Sequence, residues 1–324
     1  MPEIVEQINL FRVGYALPTR KIDTFMVESF INYAKERGID FIPIDVSKPL
    51  IEQGPFDCII HKLYGNEWDL NLENFSVNHP NATIIDHPSA IHRLHNRISM
   101  LEPVTQLNIP KLNIPKQILI QDSQSLKSFD TQSNFGFPII VKSILADGSP
   151  TAHNMSLALN REGLTTGLEI EPPMVLQQFV NHGGIVFKVY VANEYVKCVK
   201  RRSLPDISIE TMEKMALDSG GVMSFSQISG GVIVDESDYE KVSMPETEFL
   251  DEVAKGLRFA IGLHLFNFDM IKDDKSDGYL VVDINYFPGY EKLPCYESVM
   301  TDFFLSIKKS QDENKMKNQK VVED

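Results

Sequence analysis

The sequence predicts an α/β fold of the mixed (α+β) kind, and three observations carry that expectation. Short apolar strands alternate with helical stretches through the first hundred residues, as in an open α/β sheet. From Lys116 onward strands crowd together with few helices between them. Two late apolar strands, from Leu263 to Ile271 and from Gly278 to Asn285, each hold a carboxylate. A polar turn joins them, which reads as an antiparallel hairpin.

Asn9 to Leu17 contains the first strand. Ile22 to Gly38 reads as one helix, with Met26, Val27, Phe30, Ile31 and Ala34 on one face and Gly38 as its stop. Strands follow at Phe41 to Ile44, Asp57 to Lys62 and Ala82 to Asp86, and Pro88 opens a helix running to about Leu101. Pro103 to Pro115 reads as an irregular, proline-rich linker. Further strands are expected at Lys116 to Ile120, Pro138 to Lys142, Met155 to Leu159, Met174 to Val180, Ile185 to Val191 and Glu194 to Lys200. Glu246 to Gly262 is an amphipathic helix with Phe249, Leu250, Val253, Leu257, Ala260 and Ile261 inward. A last helix spans Ser298 to about Lys309, and the charged stretch from Ser310 to Asp324 is expected to fray. On this reading the chain divides into residues 1–100, 101–183 and 184–324.

Apolar content of 43% and charged content of 23% fit a soluble globular protein, and no apolar run approaches the ~20 residues of a membrane span. The opening Met1-Pro2-Glu3-Ile4-Val5-Glu6 lacks the basic-then-apolar order of a secretion signal. Cys58, Cys198 and Cys295 are odd in number and far apart, which suits a reducing, cytoplasmic setting and argues against a disulfide frame or zinc site. A net charge of −14 disfavours nucleic-acid binding. The cations nevertheless form islands: Arg20-Lys21, His61-Lys62, His92-Arg93 with His95 and Arg97, Lys188, and Lys200-Arg201-Arg202. Such islands can focus a compact polyanion into one cleft, or remain scattered surface charge.

Burying an unpaired charge costs several kcal/mol, so an apolar strand seldom keeps a carboxylate without a reason. Folding the hairpin about Lys275-Ser276 brings Asp269 near Asp283, and Asp283 shares a face with Asn285 two residues on. Hard oxygen ligands of this kind suit Mg²⁺ bound beside phosphates; the plain alternative is a hairpin with solvated acids. No Gly-Lys-Ser/Thr, His-Arg-Asp or Asp-Phe-Gly occurs, so the P-loop and protein-kinase designs are excluded. The strand from Pro138 ends in Lys142, a point charge for phosphate or a snorkelling side chain. Ala146-Asp147-Gly148-Ser149-Pro150 is a small-residue loop able to close over phosphates, with His153 just beyond. Val175 to Gly184 runs from a strand into a glycine turn ahead of Lys188; it offers backbone groups to an adenine edge or forms a plain β-hairpin. Lys200-Arg201-Arg202-Ser203-Leu204-Pro205-Asp206 is an anion clamp or a solvated basic tip. Phe287-Pro288-Gly289-Tyr290 predicts a type II turn with Pro and Gly central, its amides free to face a phosphate.

Taken in order, the lysine-ended strand, the small-residue loop, Gln177-Gln178-Phe179-Val180-Asn181-His182-Gly183-Gly184, the Lys200 to Asp206 segment, Asn267-Phe268-Asp269, and Asp283-Ile284-Asn285 leading to Pro288-Gly289 resemble the ATP-grasp fold. Specifically they resemble the inositol 1,3,4-trisphosphate 5/6-kinases, also called inositol tetrakisphosphate 1-kinases. Val13-Gly14-Tyr15-Ala16-Leu17 with Lys21, and Ile60-His61-Lys62-Leu63, are similar to that family too, so the resemblance spans roughly Phe11 to Tyr290. Asp-Ile-Asn with Pro-Gly is common to many ATP-grasp proteins. The His-Lys-Leu, Asn-His-Gly-Gly and Lys-Arg-Arg-Ser-Leu-Pro-Asp segments narrow the likeness to the inositol phosphate branch.

The resemblance implies an N-terminal substrate-binding α/β unit and a nucleotide held between central and C-terminal ATP-grasp sheets. It implies a kinase that uses ATP and Mg²⁺ to phosphorylate an inositol polyphosphate, such as inositol 1,3,4-trisphosphate at 5 or 6, or inositol 3,4,5,6-tetrakisphosphate at 1. Arg97, Lys142, Gln177, Gln178, Phe179, Val180, Lys188, Ser203, Ser224 and Ser229 match nucleotide-contacting positions, the last two serines in a loose register. Asp269, Asp283 and Asn285 match ligands of two magnesium ions. Lys21, Lys62, His153, Lys188, Asn285 and Gly289 match positions around the inositol phosphate, and Arg202 joins them by charge. Lys188, Lys142 and Asp283 are expected to carry catalysis. The expected partners are ATP and the inositol phosphate, with no nucleic acid, no membrane and a monomeric chain. Two other readings stand beside this one. An ATP-grasp carboxylate–amine ligase would use the same nucleotide site to make an acyl phosphate. A non-catalytic nucleotide-binding regulator would bind without turnover, against which the intact set of Lys142, Lys188, Asp269, Asp283 and Asn285 argues.

Overall fold

Four parallel strands open the chain: β1 (Phe11–Ala16), β2 (Ile39–Pro43), β3 (Cys58–His61) and β4 (Thr83–Ile85), ordered β2-β1-β3-β4. The computed structural model describes residues 10–130, 135–149, 152, 154–225 and 242–323, with side chains as far as 317. A parallel sheet must be covered on both faces, and alternation along β3 does this. Cys58 and Ile60 enter a core with Val13, Phe25 and Phe30, while Ile59 meets Trp68, Leu72 and Phe75 of the helix Asn66–Asn78. Gly14 lets β1 lie against Phe56, since a Cβ there would sit 2.9 Å from that ring.

Ten further strands build two more sheets: β5 (Leu112–Asn113), β6 (Gln117–Ile120), β7 (Ile139–Ser143), β8 (Met155–Ala158), β9 (Met174–Gln178), β10 (Ile185–Ala192), β11 (Tyr195–Arg202), β12 (Val222–Ser224), β13 (Leu265–Lys272) and β14 (Tyr279–Tyr286). The second sheet is antiparallel, ordered β12-β8-β7-β9-β6. The third is β11-β10-β13-β14-β5, antiparallel except for the parallel β14–β5 pair. The first and third sheets share one core, in which Val13 and Ile85 lie with Phe187, Phe268 and Val281. The second sheet keeps its own core around Ile139, Val141 and Leu176.

A polar seam fixes the first sheet to the third. Asp86, 1% exposed, accepts hydrogen bonds from the backbone of His264 (2.9 Å) and Leu265 (3.2 Å), and pairs with His264 Nδ1 at 2.5 Å. Tyr286 Oη donates to His61 O (3.0 Å) and accepts from Asp86 N (2.8 Å). His61 Nδ1 accepts from Trp68 Nε1 (3.1 Å), so its proton sits on Nε2 and is donated to Asp86 O (2.8 Å). Burial lowers the His61 pKa, which suits this neutral ring.

Several expectations are corrected. The single helix from Ile22 to Gly38 is two, Thr19–Phe25 and Glu28–Lys35, with extended Val27 between them. Phe25 and Phe30 pack at 5.3 Å in that shared core. On one continuous helix they would point about 140° apart, so the break lets both rings enter it. The helix at Pro88 ends at Arg93 rather than near Leu101. Residues 95–97 instead pair with 144–146, through Arg97 N to Ile144 O (2.9 Å) and Ala146 N to His95 O (2.8 Å). The expected irregular linker holds the helix Glu102–Gln106 and β5, which extends the third sheet beyond β14. A helix at Ile209–Ser219 was not expected; Ser208 caps its start, and Gly220, at φ +70°, ends it. The last helix runs from Tyr296 to Glu323 without fraying at Ser310, and Gln311 Nε2 anchors it to Asp57 O (2.8 Å) and Thr83 Oγ1 (2.7 Å).

Replacing Asp86 with alanine strands the His264 and Leu265 amides and removes the His264 partner. Denaturant unfolding is expected to show a loss of about 3 kcal/mol, the cost of leaving two backbone donors unsatisfied at a buried seam. A loss below about 1 kcal/mol would mean the seam contributes no more than an ordinary hydrogen bond.

Candidate active site

The second and third sheets enclose a cavity of about 320 Å³. One end is apolar, walled by Ile140, Met155, Phe179, Leu204, Phe225 and Ile271, a slot suited to a planar ring. The strands β9 and β10 belong to different sheets, so Phe179 to Gly184 is a crossing segment and not a hairpin turn. Its shape is held from within. His182 Nδ1 donates to Val180 O (2.6 Å), and in the neutral ring Nε2 accepts from Ser203 Oγ (2.9 Å). Asp206 Oδ1 accepts from the amides of His182 (2.8 Å) and Gly183 (3.0 Å). Gln177, Gln178, Phe179, Val180 and Ser203 all line the cavity beside this segment.

The other end is charged. Asp269 on β13 pairs directly with Asp283 on β14. The register then slips so that Met270 faces Val281, leaving Val282 bulged. The bulge explains why the consecutive residues Val282 and Asp283 both line the cavity, which plain alternation forbids. Two carboxylates at one register position repel unless cations intervene. Lys188 Nζ reaches Asp269 Oδ1 at 2.8 Å and Arg97 Nη1 reaches Asp283 Oδ1 at 2.9 Å. Arg97 Nη2 also donates to Ala152 O at 2.9 Å. Burial still pushes the Asp269 carboxyl up, against the pull of Lys188. Asn285 Nδ2 donates to Asp283 Oδ2 at 2.8 Å, which leaves its own amide oxygen available as a ligand.

Lys142 lies across the cavity on β7, 7% exposed. Among the described residues no carboxylate pairs with it. Burial, with Arg97 nearby, lowers its pKa to about 8.

Two more lysines gather just past β14. Lys62 Nζ donates to the carbonyls of Tyr286 (3.1 Å) and Phe287 (3.0 Å). Lys21 Nζ donates to Pro288 O (2.6 Å), lies 4.3 Å from the Phe287 ring centre and meets Glu291 at 3.5 Å. Burial lowers both pKa values to about 8. The turn they touch is not type II. Gly289 has φ −76° and ψ 80°, and Tyr290 N bonds Pro288 O at 3.0 Å, the form of an inverse γ-turn. The positive φ falls instead on Phe287, at 40°.

Of the residues named from sequence, Arg97, Lys142, Gln177, Gln178, Phe179 and Val180 converge on the cavity, as do Ser203, Asp269, Asp283 and Asn285. Lys188 joins through Asp269. Lys21, Lys62 and Gly289 cluster at the neighbouring turn. Arg202 is exposed at the end of β11 and does not line the cavity; Ser224 ends β12, next to the lining residue Phe225. His153 and Ser229 lie outside the described residues. Two participants went unassigned in the sequence reading. His182 stood inside the Asn-His-Gly-Gly motif, whereas Glu291 gave no signal beyond its place after Pro-Gly-Tyr.

An antiparallel sheet facing a second mixed sheet across a nucleotide-sized, lysine- and acid-lined cleft defines an ATP-grasp protein. Solved structures agree at the level of the fold. An ATP complex of D-alanine–D-alanine ligase from Bacillus anthracis matches with a TM-score of 0.60 at 13% identity, covering 94% of this chain and 99% of that one. A RimK domain ATP-grasp protein from Sphaerobacter thermophilus matches with a TM-score of 0.56 at 15% identity, covering 91% and 99%. Sequence comparison is more specific. Residues 108–306 match the inositol 1,3,4-trisphosphate 5/6-kinase ATP-grasp domain, and residues 12–91 match the pre-ATP-grasp domain of that family. Inositol-tetrakisphosphate 1-kinase 5 from Oryza sativa subsp. japonica is 46% identical over 95% of this chain and 93% of its own length. Inositol-tetrakisphosphate 1-kinase 1 from Arabidopsis thaliana is 46% identical over 92% and 95%. The chain therefore belongs to the inositol 1,3,4-trisphosphate 5/6-kinase family, whose members are inositol polyphosphate kinases built on the ATP-grasp fold.

The Lys142 ammonium gives a pH test. Between pH 8 and 10.5 the unfolded chain keeps this proton and the folded, ligand-free one has lost it, so folding stability gains from this group as pH rises through that window. A bound polyphosphate favours the charged form, so nucleotide affinity has the opposite slope. Calorimetry is expected to show ATP affinity falling as pH climbs from 7 past 8, and Lys142→Met is expected to flatten that fall. An unchanged slope in the variant would assign it to another group.

Proposed function

We propose that this kinase transfers the γ-phosphoryl group of ATP to a ring hydroxyl of an inositol polyphosphate, with Mg²⁺ held by Asp269, Asp283 and Asn285. The observation that carries this reading is the adjacency of two differently built charge sites on one strand. The paired carboxylates end a nucleotide-sized cavity, and immediately beyond β14 two desolvated lysines stand together. Two carboxylates and an amide oxygen form a hard-oxygen donor set, and these three side chains would hold the ion. When bound, magnesium would neutralise charge on the β- and γ-phosphates.

The protein's own part is alignment and charge balance, which is most of what a loose phosphoryl transfer requires. The apolar slot and the Phe179–Val180 crossing hold the base. Lys142, which no carboxylate among the described residues pairs with, holds phosphate oxygens from the second sheet. Lys188 and Arg97 neutralise Asp269 and Asp283 at 2.8 and 2.9 Å, and both cations stand where they would also offset phosphate charge. Lys21 and Lys62 hold the acceptor's phosphates from the N-terminal side, with Gly289 leaving room at the turn: a Cβ there would fall 2.7 Å from Glu291 Oε1. His153 and Arg202 are proposed as further acceptor contacts and Ser224 and Ser229 as nucleotide contacts.

The three sheets support units at 1–100, 101–183 and 184–324, although two strands cross that division: β5 extends the third sheet and β12 extends the second. No helix among the described residues is long and apolar enough to cross a membrane, and Cys58, Cys198 and Cys295 are free. Free cysteines fit a reducing, cytoplasmic setting, and a monomer acting on small molecules is the proposed state. The ligase reading rests on structures alike in fold only; an amine acceptor would not call for two buried ammonium groups beside the transfer site.

Incubation with ATP, Mg²⁺ and a panel of inositol tris- and tetrakisphosphates is expected to give a more phosphorylated product. ADP release that instead requires an amine and a carboxylate would point to the ligase. Asp283→Ala is expected to lower kcat by at least about 100-fold with little change in thermal stability; near-normal turnover would reject the metal assignment. Lys62→Ala is expected to raise KM for the inositol phosphate roughly tenfold while KM for ATP moves little, and equal effects on both would displace Lys62 from the acceptor site.

A further inference from the structure

We propose that Tyr286 is a positioning residue for the acceptor, acting through Lys62, and that residues 286–288 form a backbone cradle that sets both acceptor lysines in place. This deepens the kinase reading and rests on Lys62 and Lys21 belonging to the acceptor site.

Tyr286 holds Lys62 from two directions. Its hydroxyl donates to His61 O at 3.0 Å and so fixes the backbone immediately before Lys62. Its carbonyl accepts from Lys62 Nζ at 3.1 Å and so fixes the far end of the same side chain. The next two carbonyls continue the pattern, Phe287 O taking Lys62 Nζ at 3.0 Å and Pro288 O taking Lys21 Nζ at 2.6 Å. Three consecutive carbonyls cannot all serve one side from a regular strand, because alternate carbonyls point opposite ways. Phe287 breaks the alternation with φ +40°, a conformation a bulky residue adopts only when its surroundings over-determine it. Those surroundings are present. The Phe287 ring is fully buried, meets Phe25 edge-on at 5.1 Å, and lies beneath Lys21. Its amide is tied to Leu265 O at 2.9 Å.

A lysine carries its charge on a flexible four-carbon stem and loses rotamer freedom when ordered. An ammonium already seated on carbonyls bears that cost before substrate arrives, which is how preorganisation raises affinity. Carbonyls, unlike carboxylates, leave the Lys62 charge unneutralised for the acceptor's phosphates, whereas Lys21 also meets Glu291 at 3.5 Å. The hydroxyl of Tyr286 therefore bears on acceptor binding although it touches no acceptor atom.

The test compares Tyr286→Phe with Tyr290→Phe. Both delete one buried tyrosyl hydroxyl from the same turn, but that of Tyr290 reaches Val191 O and Phe266 O instead of the strand that carries Lys62. Both variants are expected to lose stability in thermal unfolding to a similar extent. Tyr286→Phe alone is expected to raise KM for the inositol phosphate by about fivefold or more, with kcat and KM for ATP within about twofold. In a Lys62→Ala background the Tyr286→Phe effect on KM is expected to vanish, since a residue acting through another cannot act once that one is gone. Equal KM shifts in the two tyrosine variants, or an undiminished Tyr286→Phe effect without Lys62, would overturn the proposal. Should Tyr286→Phe fail to fold, Pro288→Ala, which loosens the cradle without stranding a buried polar group, is expected to raise acceptor KM selectively; no shift would overturn it. An unchanged acceptor KM in Lys62→Ala itself would instead sink the acceptor-site reading beneath it.

Discussion

Everything at this site depends on two carboxylates facing each other at one position of a β-ladder. Asp269 and Asp283 occupy paired positions on β13 and β14, where like charges destabilise the pairing. The strands can close only because cations are delivered there. The cations come from separate parts of the chain. Arg97 follows the first sheet, Lys188 stands on the adjoining strand β10, and Lys142 faces them from the second sheet. The fold thus brings one charge from each major part to a single point, and the balance struck there ties the sheets together electrostatically.

The packing shows which parts are bound firmly. The first and third sheets share a core and the Asp86–Tyr286 seam, so Lys21, Lys62 and the carboxylate pair belong to one packed block. The second sheet has its own core and meets that block across the cavity, through the Phe179 to Gly184 crossing and the short pairing of residues 95–97 with 144–146. Geometry between the two lysines and the carboxylate pair is therefore set by dense packing, which transmits little play. Geometry between that block and the second sheet is set by a few hydrogen bonds.

Much of this was legible in the sequence, for identifiable reasons. The hairpin and the approach of Asp269 to Asp283 followed from period-two alternation and a polar turn, because register is a local consequence of turn length. The cavity residues from Gln177 to Val180 and Ser203 came from resemblance, since no local rule marks a crossing between sheets. What stayed hidden depends on contacts distant in sequence. The break between Phe25 and Phe30 is imposed by a core that includes Tyr296. The persistence of the last helix past Ser310 is supported by Gln311 reaching Asp57 and Thr83, neither of which a helical wheel can display. The turn at Pro288 was misread because Pro-Gly favours type II, whereas burial of the Phe287 ring moved the unusual dihedral one residue ahead of the proline.

The lysines explain how an acidic protein can take an acidic substrate. With a net charge of −14 the chain repels a polyphosphate at long range, yet screening confines that repulsion to about 8 Å at physiological ionic strength. Inside that distance Lys21, Lys62 and Lys142 dominate, each with its pKa lowered to about 8 mainly by burial. Holding each of them charged at neutral pH costs the free protein roughly 3 kcal/mol. A phosphate that pairs with them recovers part of that free energy, and a neutral polyol recovers none. If these lysines meet the substrate as proposed, selectivity for a highly phosphorylated ring follows from desolvated charge held in place and requires no net attraction between protein and substrate.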